Sequence, residues 1–402
     1  MALNKSHFLL FLLIAITLLL GVTVVSATSP DNNNAIQGVI ENQELSTPDI
    51  YDVDKMVQSS ADTFSTDAKV KETNTSDKTI NSTNTENSNK KTETTSNASE
   101  KNITSYTKLN KGIQRDFKTA GEETSFTHLQ QLIDDNSVLD LDQSYEFTEG
   151  IDDALVNGII INKTFTLNGN GFTIDAKNNS RIFMINGTGI EVNINNVTLV
   201  NGNASKATNN LNGGAIHVQN TLIIENSTFV DNIAENGGAI FATKESNAEK
   251  IENIIIKNCT FTNNVALKDN GGAIDISEKS ENIRILNSNF TNNTVIGYNN
   301  SDNSRFYGSG GAIAFAGTSS KSLIDNSTFT NNTVNANGGA VLLNGEYCNI
   351  TSCKFYNNSA PYAAGAVRLN GKHLLVNHSI FDGNYDSKGN YSWGSAIYLT
   401  GL

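Results

Sequence analysis

The sequence predicts an all-β solenoid, a parallel β-helix of stacked coils closed at its N-terminal end by a short capping helix. Three observations predict it. Two motifs, Gly-Gly-Ala-Ile and Phe-x-x-Asn, alternate six times in fixed order down the second half of the 402-residue chain. Short apolar-alternating runs fill the space between them, as half-buried strands do. Asn and Gly separate the runs, and these residues supply tight turns. One tetrapeptide carries no weight, but a fixed alternation marks repeated structural units stacked on one another.

Taken in chain order, residues 1–27 read as an export signal. Lys5 and His7 form a short polar start, an apolar run extends from Phe8 to Val25, and Val25-Ser26-Ala27 has small residues suited to cleavage. The run is also near the length that spans a bilayer, so an uncleaved anchor is the alternative. Either reading puts the bulk of the protein outside the cytoplasm, at the cell surface or secreted. Contact with a membrane is then expected only through this segment. Residues 28–123 are poor in aromatics and large aliphatics, and 73–107 are nearly all Thr, Ser, Asn, Lys and Glu. Such a segment buries too little apolar surface to offset its ordering entropy, so a disordered stalk is expected. Its sequons at Asn74, Asn81, Asn97 and Asn102 are candidate glycan acceptors.

Composition narrows the function classes. Charged residues are 17%, the net charge is −13 and the pI is near 4.9. This argues against nucleic-acid binding, which needs a basic face. Three cysteines, Cys259, Cys348 and Cys353, are too few and too odd for a disulfide framework.

The solenoid is expected over 124–402, with its cap at 124–135. Phe126, Leu129, Leu132 and Ile133 recur at helical spacing, and Thr124 or Ser125 suits the N-cap. A lone amphipathic helix here has one evident use, which is to cover the open edge of the first coil. Strand-like runs follow at 138–141, 158–161, 165–167, 172–174, 182–185, 190–194 and 197–200.

The regular repeats begin at Gly213. In that unit Ile216 with Val218, Leu222 with Ile224, and Ser227 with Phe229 alternate inward on three short strands. Asn226 falls at a bend, with Asn258, Asn287 and Asn326 as equivalents and Ser352 and His378 as later departures. Stacked Asn amides can bond from coil to coil there. The glycine pair permits positive φ and close approach between coils. Ser227, Cys259, Ser288, Ser327, Cys353 and Ser379 share one register, which reads the two cysteines as buried thiols. Repeats run from 24 to 39 residues, with the excess after Phe241 and between Asn293 and Gly310, where loops should leave the stack. About ten coils at about 4.8 Å each would span on the order of 50 Å.

The alternating motifs resemble the repeats of chlamydial polymorphic membrane proteins. The leader 125–133 (SFTHLQQLI) and the segment 158–171 (GIIINKTFTLNGNG) look more like the large adhesin-like surface proteins of methanogenic archaea. The likeness covers about 124–402. It implies a right-handed parallel β-helix, export, and attachment to glycans or proteins of other cells. It carries over no catalytic, cofactor-binding or metal-binding residue.

Parallel β-helices of the pectin-lyase-like type also include polysaccharide lyases and glycoside hydrolases, which need paired carboxylates, or carboxylates with a Lys or Arg base. The position after each Gly-Gly-Ala-Ile holds His217, Phe241, Asp275, Ala314, Leu342, Arg368 and Tyr398, a mixed column with one acid. Asp231 and Asp382 read as sharing another column. Asp175 is the best lone acid, though a turn cap is its ordinary reading. His217 and His378 read as surface or ladder residues. The expected function is therefore a non-enzymatic, adhesin-like surface protein with no cofactor. A carbohydrate-active lyase or hydrolase is the alternative. Tyr298, Phe306 and Tyr307, in the longer loop, are the candidate glycan contacts.

Overall fold

The computed structural model describes residues 121–244, 249–297, 308–387 and 394–400, and two earlier strands, Thr104–Thr107 and Gln114–Phe117. All belong to the second of the chain's two units, Ser96–Leu402. The first unit, Met1–Thr95, holds the segment read as an export signal and most of the expected stalk, and lies outside the described residues. Within the segment read as a stalk, the two early strands pair antiparallel, with Thr104 opposite Phe117. Among the described residues, no helix is long and apolar enough to cross a membrane.

From Val138 onward the chain is an all-β parallel solenoid. Each coil lays one strand in each of three sheets, and the main path of every sheet holds nine strands. The first sheet runs from Val138–Asp140 to Leu375–Asn377, the second from Tyr145–Glu146 to Ile380–Asp382, and the third from Ile159–Ile161 to Ile397–Thr400. Six two-residue strands, from Ile233–Ala234 to Tyr385–Asp386, form a short fourth sheet between the second and third. Nine strands make eight steps, about 38 Å at about 4.8 Å each. That is shorter than the expected ten coils, because excursions between strands absorb the difference.

Local sequence explains the strands. Thr221–Glu225 buries Leu222 and Ile224 and turns its other residues outward. Thr228–Val230 buries only Phe229. Register then stacks like on like: Phe229 lies beside Phe261, Phe261 beside Phe290, and Phe290 beside Phe329. Their rings are parallel to within 7° and 4.6–4.9 Å apart, and the stack continues through Phe355 to Phe381 at 4.8 Å. Ring spacing is thus set by the strand spacing rather than by the aromatic preference for offset or edge contact.

Two glycines serve two needs. The first of each pair has positive φ, as at Gly213 (70°), Gly237 (56°) and Gly271 (63°). The second has no room for a side chain. A Cβ on Gly238 or Gly272 would fall on the carbonyl oxygen of the equivalent glycine in the next coil, Gly272 or Gly311.

The helix Phe126–Asp135 covers the first coil as expected. Phe126, Leu129 and Ile133 are buried, and Ser125 is the N-cap, its hydroxyl accepting from the His128 N–H at 3.1 Å. Gln130 closes the exposed edge of the first third-sheet strand. Its amide oxygen accepts from the Ile160 N–H at 2.6 Å, and its amide nitrogen donates to the Ile160 carbonyl at 3.0 Å. One unanticipated group completes the cap: buried Asp152 accepts from the backbone N–H of Phe126, Thr127 and Thr148 at 2.7–3.0 Å.

Candidate functional site

Asn residues build two distinct kinds of ladder. At the bend between the first and second sheets, Asn196, Asn226, Asn258, Asn287 and Asn326 all have φ between 45° and 54°, the left-handed region that Asn tolerates best among residues with a side chain. There Asn258 donates to Asn226 at 3.1 Å and Asn326 to Asn287 at 2.9 Å, on the exposed rim. Ser352 (54°) and His378 (49°) take the same bend. The Asn of Phe-x-x-Asn does something else. Asn232, Asn264, Asn293, Asn332 and Asn358 are fully buried. Each amide nitrogen donates to the next coil's Asn Oδ1 at 2.9–3.0 Å. Each also donates back to the carbonyl of the preceding coil's core residue, as Asn293 does to Phe261 at 3.0 Å. A buried polar group is tolerated when every donor and acceptor is used.

The Ser/Cys register is buried from Ser227 to Cys353, and Ser379 is half-buried. Ser288 Oγ accepts from the Cys259 N–H and Ser379 Oγ from the Cys353 N–H, both at 3.1 Å. Burial pushes the Cys259 and Cys353 thiols up to about 12. Thiolates are the reactive form, so both sites are inert.

The acids raised by the sequence do not come together. Asp175 is a turn cap: its Oδ1 accepts from the Lys177 N–H at 2.8 Å and the Asn201 amide at 2.9 Å. Lys177 bridges it to Glu146, at 3.1 and 2.9 Å respectively. Asp231 and Asp382 are in neighbouring columns, which corrects the shared register read from the sequence. Asp382 aligns with Tyr356 and Thr330, whereas Asp231 stands at a bend whose next members are Asn263 and Asn292. Asp275 follows Phe241 and precedes Ala314 in the column after the glycine motif. It is buried, Oδ1 has no hydrogen-bond partner, and burial holds its carboxyl well above the usual carboxylate range. In its column it stands between Phe241 and Ala314, and the nearby charges of Asp269 and Glu278 add to the rise.

His217 is also buried, not on the surface. Its ring lies 5.3 Å from that of Phe241. Burial, with the Arg181 charge beside it, pulls its imidazole down to about 3. Arg181 itself gave no sequence signal. Fully buried, it donates to the carbonyls of Asn157 at 2.8 Å and of Gly213 and Asn212 at 3.0 Å, and also to Asn210. It pins the excursion before Gly213 to the third sheet. A shallow cleft near the capped end is lined by Phe147, Glu149, Gly150, Asp153, Val156 and Asn179. Its two acids already accept internal bonds, from Asn179 and Gly150. Among the described residues, no three His, Cys, Asp or Glu side chains are grouped to hold a metal ion. The aromatic candidates Tyr298, Phe306 and Tyr307, and the sequons at Asn74, Asn81, Asn97 and Asn102, lie outside the described residues.

The Chlamydia polymorphic membrane protein repeat matches the chain in three places, 226–243, 258–277 and 326–344. Each match opens on a left-handed Asn, crosses the buried Phe and Asn and the glycine pair, and closes in the third sheet. No curated protein and no solved structure matches the chain. The repeats and the solenoid together fit a surface-type protein.

Proposed function

We propose that this chain is an exported, non-enzymatic, adhesin-like surface protein. In this reading the solenoid is presented for attachment to glycans or proteins of other cells, as its likeness to archaeal adhesin-like proteins implies. The observation that carries the reading is the threefold match to a polymorphic membrane protein repeat on a continuous parallel solenoid. The fate of the motif residues adds support. Phe290 fills the core, Asn293 bonds neighbouring coils, and Gly271 and Gly272 make the turn. With the motifs spent on scaffold, recognition belongs to the outer faces and the excursions between strands.

The test pairs two measurements on the full-length protein. Blots of cell fractions report its location, and the purified chain is assayed for binding to whole cells. Recovery in the envelope or medium with saturable cell binding is expected. A cytoplasmic protein that binds no cell contradicts the reading.

A further inference from the structure

We propose that Tyr347 and His373 form an oligosaccharide-binding ridge on the last coils. The proposal rests on the surface-attachment reading above and names the ligand class and its site. The bend from the third sheet into the first is taken by a left-handed residue in five successive coils: Asn253 (φ 58°), Asn282 (58°), Lys321 (51°), Tyr347 (55°) and His373 (51°). The strand register just before the bend aligns all five. Asn and, less often, His suit such a bend, whereas the bulky Tyr347 there is an outlier. Strain of that kind persists where the surroundings impose it, and it clusters at functional sites.

Burial does not account for the rings. Tyr347 is 57% exposed and His373 is exposed beside it. They stack on each other, with centroids 4.5 Å apart and planes within 10°. Next to the bend, the outer face of the first sheet presents Asn349 and, aligned with it, Leu375. Among the described residues, nothing bonds the Asn349 side chain. Two aromatic rings, a leucine and an amide on an open face suit a sugar, which has apolar C–H faces and a rim of hydroxyls. A protein partner would need a far larger apolar area than these few side chains offer. Lys321 continues the column, but its ammonium sits 2.7 Å from Glu281. Just before the rings, Glu346 lies in register beside Lys372, so the charges nearest the pair offset each other, which favours a neutral oligosaccharide over an acidic one.

The test uses the full-length protein and an array of defined neutral oligosaccharides. Tyr347→Asn and His373→Asn place at each bend the residue that the same column already uses at Asn253 and Asn282. The melting temperature should hold or rise in both, and array binding should fall at least tenfold in the double variant. A merely structural pair would behave in the opposite way, losing melting temperature and keeping binding. Array binding retained by the double variant overturns the proposal. A wild-type chain that binds cells but no arrayed oligosaccharide also overturns it, and leaves the surface reading intact. Binding to neither sinks both.

Discussion

The side-chain amide of Asn264 donates to Oδ1 of Asn293 at 2.9 Å, and the same oxygen accepts from the Asn264 backbone N–H at 3.0 Å. One carboxamide thus satisfies two buried donors of the coil before it. Asn293→Ala removes that acceptor, leaves both Asn264 donors unpaired, and removes one bond to the Phe261 carbonyl. Buried groups left unpaired cost about 1–3 kcal/mol each, so a loss of about 3 kcal/mol or more is expected. Asn258→Ala, on the exposed rim, should cost about 1–2 kcal/mol, mainly from the left-handed backbone. Urea midpoints of the two variants check the ranking.

Both glycines of a pair resist a side chain, the first through its positive φ and the carbonyl of the Ile three residues on, the second through the adjacent coil. Gly272→Ala drives a methyl group into backbone of the adjacent coil, including the Thr294 nitrogen 2.6 Å from the new Cβ. Neither strand can retreat without breaking its ladder, so little soluble folded protein is expected. Ala364 already occupies a first-glycine position at φ 57°. Ala364→Gly relieves left-handed strain of about 1–2 kcal/mol and raises unfolded-state entropy by somewhat less. A small rise in melting temperature is the expected outcome in a thermal scan.

Much of this scaffold was legible in the sequence, and the residues show why. Phe229, Phe261 and Phe290 recur at one phase and can only stack, and Asn226 and its equivalents mark a bend by type alone. The role of Asn232 was not legible. An amide reads as exposed until its partners in the neighbouring coils, Leu199 and Asn264, are placed. The misaligned pair Asp231 and Asp382 shows the limit of counting, since a column moves by one wherever a bend residue intervenes. Arg181 and Asp152 were invisible because their partners are mostly backbone groups distant in sequence. Tyr347 and His373 escaped notice because their bend shares a backbone conformation and no residue type.

Asp275 and His217 should pull the pH dependence of stability in opposite directions. The Asp275 carboxyl is raised in the folded state. Its contribution is complete below the unfolded value of about 3.9 and is lost as pH rises through the folded value. Asp275→Asn should therefore match wild type at acid pH and exceed it at neutral pH. His217 is lowered to about 3. Its contribution is complete above the unfolded value of about 6.5 and is lost as pH falls toward 3. His217→Phe, which resembles the neighbouring Phe241, should flatten that acid limb. Denaturant midpoints across the pH range read both effects.

The cysteines offer a simple probe of the core. Cys259, Cys348 and Cys353 are buried free thiols. An alkylating reagent at mildly alkaline pH should leave all three unmodified in the folded protein and modify all three in denaturant. Mass spectrometry of the two samples makes the comparison. Rapid labelling of native Cys259 would place its column outside the core.

The most direct test of one continuous stack is native-state amide hydrogen exchange of the full-length protein, read by mass spectrometry. Peptides spanning 261–264, 290–293 and 329–332 should be the slowest to exchange, with similar protection across the three coils. Exchange of these peptides at the rate of an unfolded chain would contradict a stacked, ladder-bonded solenoid.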